Sequence, residues 1–109
     1  MTIKDLDDLT DLDREHLKNG IHTFCVLMGD YLENDAKLFF GPLQDTDWIL
    51  TSRKIINYPE LFAKTGIFSS CGDAKRNGWN KEIPAGYSEI SKIGKKFREI
   101  SILNIVCRD

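Results

Sequence analysis

The stretch Phe97–Val106 is nearly continuous in apolar residues and rich in isoleucine. A run of that kind cannot lie with one side in water. It demands cover on both faces, which predicts a central strand and hence a sheet built around the C-terminal end of the chain. The 109 residues then suffice for one compact domain. No apolar run approaches the ~18–20 residues a spanning helix needs, so no membrane partner is expected.

The N-terminal part reads differently. Thr10, Asp11 and Asp13 are candidate helix caps. Apolar residues then recur at Leu12, Leu17, Ile21, Phe24, Cys25, Met28, Tyr31 and Leu32, steps of three and four that predict one amphipathic helix. The run 21–28 also fits a buried strand after an Asn19-Gly20 turn; continued periodicity on both sides favours helix. The stripe Phe24, Met28, Tyr31, Leu32 is a candidate homodimer face.

Further on, Gly41-Pro42 ends one element, and 41–48 read as loop. Pro59 suits the first turn of a helix that stops near Gly66. A second short helix follows Ser69-Ser70 and stops at Asn77-Gly78. The remainder reads as antiparallel strands turning at Pro84-Ala85-Gly86 and at Gly94. The fold class expected is α+β: a helical N-terminal half packed on a helix pair and a small antiparallel sheet.

Charge divides along the same line. Residues 1–48 carry eleven acids and four bases, a balance of −7, while residues 49–109 carry six acids and eleven bases, +5. Within a single domain 1–109, the reading separates an acidic part, 1–48, from a basic part, 49–109. Lys64, Lys75 and Arg76 on the helix pair, and Lys92, Lys95, Lys96 and Arg98 around the last turn, form the clusters expected of phosphate contacts. Ser69 and Ser70 add hydroxyl donors, and Trp79 offers a ring on which a base can stack or which anchors a loop.

The segment Thr65-Gly66-Ile67-Phe68-Ser69-Ser70-Cys71-Gly72-Asp73-Ala74-Lys75-Arg76 resembles the S4 RNA-binding domain of a ribosomal protein, tyrosyl-tRNA synthetase tails and pseudouridine synthases. That family carries T-G-L-x-x-S-x-x-E-A-R-R on paired helices. Gly94-Lys95-Lys96-Phe97 is similar to the turn before its last strand. The resemblance covers roughly residues 55–106 and implies that Lys64, Ser69, Ser70, Lys75, Arg76, Lys95 and Lys96 face RNA backbone. Where the family continues into a hairpin, this chain has Asn77-Gly78-Trp79-Asn80. The stretch from Arg76 to Gly86 is similar in style to short phage-encoded proteins.

Chemistry beyond binding finds little support. His16, His22 and Cys25 lie close in sequence but lack the three or four ligands zinc needs, so no metal or cofactor is expected. Cys71 has no nearby histidine, and no local segment supplies nucleophile, base and orienting group together, so no enzyme is expected. Three dispersed cysteines and no visible secretory signal suggest a reducing compartment, the cytoplasm. Two functions follow: a module that holds structured RNA with the basic half, or an inhibitor or adaptor that offers Asp5, Asp7, Asp8, Asp11, Asp13 and Glu15 to a host protein.

Overall fold

The last strand, β5 (Lys96–Ile105), lies inside the sheet, with β4 (Gly86–Ile93) on one side and β2 (Thr23–Gly29) on the other. The architecture is that of a computed structural model, which describes residues 2–20, 23–31, 40, 47–93 and 96–105. With β1 (Thr2–Asp5) and β3 (Trp48–Ser52) the sheet runs in the order β1-β3-β2-β5-β4. The pairs β1–β3, β3–β2 and β2–β5 are parallel; β4–β5 is antiparallel. The protein is therefore α+β, as expected, but its sheet is mixed. Antiparallel pairing is confined to the final hairpin, and parallel neighbours require crossovers that cover the sheet.

The long N-terminal helix is corrected. Helix α1 spans only Asp11–Asn19. Thr10 opens it with a reciprocal capping box: its hydroxyl accepts from the Asp13 amide, and the Asp13 carboxylate accepts from the Thr10 amide, both at 3.1 Å. Residues Thr23–Gly29 form β2 instead of a second helical stretch. Phe24, Val26 and Met28 enter the core beneath the helices, while Leu27 packs on the opposite face. A strand buried on both faces reads as an unbroken apolar run, and such a run also satisfies steps of three and four. The same burial takes Phe24 and Met28 out of the expected dimer stripe as core residues; Tyr31 is partly exposed, and Leu32 lies outside the described residues.

The acidic half is thus not a helical block. Its strand β2 sits between β3 and β5 of the basic half. One helical layer covers one face of the sheet. It comprises α1, α2 (Tyr58–Thr65) and the short α3 (Cys71–Ala74). Asn57 caps α2 by accepting from the Glu60 amide at 2.9 Å, and Pro59 occupies its first turn. Gly66 ends α2 at φ +80°, and a side chain there would press on Arg14. Beyond α3 the chain passes through a π-type turn, Lys75–Trp79. The far face carries a smaller cluster of Leu27, Ile49 and Leu103, with Tyr31 and Phe40 packed against it. Among the described residues no helix is long and apolar enough to cross a membrane.

Candidate nucleic-acid interface

Lys64, near the end of α2, pairs with Asp7 at 3.1 Å, both side chains about half exposed. Ser70 caps α3 by accepting from the Asp73 amide at 3.2 Å. The Asp73 carboxylate in turn accepts from the Ser69 hydroxyl and pairs with Arg76. Lys75 is exposed and makes no ion pair among the described residues. The helix-pair residues therefore stand at the surface, with Asp7 and Asp73 set among them.

Two further cations join them. A hollow of about 420 Å³ between α1 and the end of α2 is lined by Arg14, Lys18 and Ser69, and also by Glu15. An adjoining hollow of about 260 Å³ is lined by Arg14, Lys64 and Cys71, and also by Glu60. Arg14 and Ala63 form the ridge common to both. The Arg14 guanidinium also donates to the Leu9 carbonyl at 3.0 Å and to the Asp11 carboxylate. Sequence reasoning passed over Arg14 and Lys18. Their i, i+4 spacing places them on one side of a helix, but they lie in the half classed as acidic.

Around the last turn the outcome differs. Lys92 is exposed on β4 opposite Phe97. Lys95 lies outside the described residues; Lys96 is described only as the first residue of β5, paired with Ile93. Arg98 is corrected outright. It is 3 % exposed, and its guanidinium donates to the carbonyls of Leu17 at 2.7 Å and Lys18 at 2.6 Å. Those are carbonyls of the last turn of α1, which lack partners within the helix and carry its negative pole. Burial lowers the Arg98 pKa from its ordinary value. The pairing register moves at this point: the step Ile100 to Phe97 on β5 meets the shorter step Ile90 to Lys92 on β4.

Trp79 is likewise committed inward. Its ring meets Phe62 edge-on at 5.0 Å and Tyr58 at 5.2 Å, which anchors the turn after α3 on the core. Of the residues weighed for metal, His22 lies outside the described set. Cys25 sits half-buried on β2, its thiol pushed up to about 11 by burial, with the Asp47 charge adding to the shift.

Compared with known proteins, the chain matches no family model, no curated protein and no solved structure.

Proposed function

We propose that the chain is a small non-enzymatic module that holds structured RNA by its phosphates, with Lys64 and Ser69 at the centre of the contact and Ser70, Lys75 and Arg76 on the segment that continues from it. The observation that carries this reading is the pair of adjoining hollows that share Arg14 and bring Lys18, Lys64 and Ser69 to one surface. Three different segments contribute to it: α1, α2 and the loop that follows α2. The carboxylates now facing the cations are surface partners, each pair worth about 0–1 kcal/mol. A run of phosphates displaces them at small cost. Glu15 and Glu60 in the same hollows keep the affinity modest.

A mobility-shift titration with a structured RNA tests the reading. Affinity falls steeply with salt, because each neutralised phosphate releases counterions. Lys75→Glu and Arg76→Glu together abolish the shift without moving the urea midpoint. A folded double variant that binds RNA as the parent does overturns the reading.

A second reading rests on Leu12, which is 63 % exposed on α1 beside exposed Asp8, Asp11 and Glu15. An apolar residue framed by acids suits a basic groove on a host protein, for which the chain would be an inhibitor or adaptor. Nuclease treatment of a host lysate before a pull-down separates the two. A partner that survives nuclease and is lost with Leu12→Lys belongs to this second reading.

A further inference from the structure

We propose that the carboxyl ends of β2 and β3 bind a small phosphate-bearing ligand through Arg53 and Lys54. This site is separate from the proposed RNA surface.

The topology marks the place. Four strands, β1, β3, β2 and β5, run parallel, so their carboxyl ends share one edge of the sheet. In open sheets of this kind, ligands sit where neighbouring strands send their connections to opposite faces, since the diverging chains leave a gap. After β2 the chain turns to the far face: Tyr31 and Phe40 pack there against the Leu27, Ile49, Leu103 cluster. After β3 it turns to the helical face, where Ile55, Tyr58 and Leu61 join the main core. β2 and β3 are direct neighbours, with Met28 opposite Ser52 at their ends. The divergence therefore falls between them.

The side chains at that point suit an anion. Arg53, the first residue after β3, reaches across the gap. Its guanidinium carbon stands 4.0 Å from the centre of the Tyr31 ring. Its Nη1 and Nη2 donate to the carbonyls of Gly29 and Tyr31 at 3.5 and 3.3 Å. These bonds are long, so an exposed fork of donors is held in position without being saturated. Lys54 follows, exposed and without an ion pair among the described residues.

The floor is rigid. Ser52 accepts from the amides of Lys54 and Ile55 at 3.3 and 3.2 Å, which fixes the turn out of β3. Gly29 adopts φ +75°, and any side chain there would collide with the Ile105 carbonyl. The Asp30 amide donates to that same carbonyl at 2.8 Å. The end of β2 is thereby held against β5. Asp5 and Asp30 stand on the same edge, so it does not attract a long polyanion. The Arg53 fork, with exposed Lys54 next in the chain, instead suits one phosphate group, and the partly exposed Tyr31 side chain stands beside the fork.

The test is a titration of the full-length chain with inorganic phosphate and, separately, with AMP, followed in amide NMR spectra. Saturable shifts are expected at Gly29, Asp30, Arg53 and Lys54. Arg53→Ala weakens binding about tenfold, the loss of one charge-assisted pair, while Lys75→Glu with Arg76→Glu leaves it unchanged. Tighter binding of AMP than of phosphate assigns a contact to Tyr31; equal binding assigns recognition to the phosphate alone. Absence of saturable shifts at these amides overturns the proposal, as does a folded Arg53→Ala variant with unaltered affinity. Should Arg53→Ala fail to fold, Lys54→Ala decides: weakened binding supports the site, and unchanged binding removes it.

Discussion

Arg98 and Leu17, 81 residues apart, are joined by a 2.7 Å bond from a buried guanidinium to a helix-end carbonyl. This contact links an interior strand of the sheet, β5, to the helix α1. It converts a residue of the basic half into a structural group. Arg98→Met removes the donors and leaves the Leu17 and Lys18 carbonyls without that partner. Hydrogen bonds from a charged group contribute roughly 1.5–3 kcal/mol each, so a loss of about 3 kcal/mol is expected. Urea denaturation measures it, and Arg98→Lys recovers part. A midpoint unchanged in Arg98→Met refutes the assignment.

Asp13 links α1 to β1. Its carboxylate lies 2.8 Å from the Lys4 ammonium and accepts from the Thr10 amide. The bond from Lys4 first, and that from Thr10 next, hold its pKa below the ordinary carboxylate value. A group whose pKa is depressed on folding stabilises the protein above its unfolded value of about 3.9. That contribution is lost as pH falls through the lower folded value. Urea midpoints measured from neutral to acid pH therefore fall more steeply for the parent than for Asp13→Asn. Parallel curves count against the contact.

Trp79 packs edge-on against Phe62 and Tyr58. Trp79→Ala opens a gap beneath the turn and costs about 3 kcal/mol, toward the low end for deleting a core aromatic. Trp79→Phe keeps most of that stability. If the ring serves the core alone, Trp79→Phe leaves the RNA mobility shift in place. A large loss of RNA affinity in a stable Trp79→Phe protein reassigns the ring to base stacking.

The two described cysteines separate by reactivity. The thiolate is the reacting form. With its thiol pushed up to about 11, Cys25 holds almost none at neutral pH, whereas Cys71 is exposed. Brief iodoacetamide treatment of the native protein followed by peptide mass mapping marks Cys71 before Cys25. Equal labelling contradicts the burial of Cys25.

Local chemistry carried several features into the sequence without help from the fold. Pro59 and Gly66 bound α2, and Ser70 opens α3, because caps and punctuation act within a few residues. The isoleucine-rich run of β5 marked an interior strand for a similar local reason, although Glu99 on it stays exposed. Lys64, Ser69 and Lys75 stand exposed or partly exposed at the surface, and that too was legible from their type.

Tertiary structure decided the rest. The run Phe24–Met28 satisfied helix and strand periodicity alike, and only pairing with β3 and β5 selected the strand. Arg98 looked like surface charge until β5 was laid against the end of α1, whose open carbonyls are an acceptor that no local pattern displays. Arg14 and Lys18 join Lys64 through packing of α1 on α2, and Arg53 meets Tyr31 through the neighbouring ends of β3 and β2. Charge composition records how many cations the chain has. Which of them face water together depends on contacts between residues far apart in sequence, and those contacts exist only once the sheet and its helical cover have assembled.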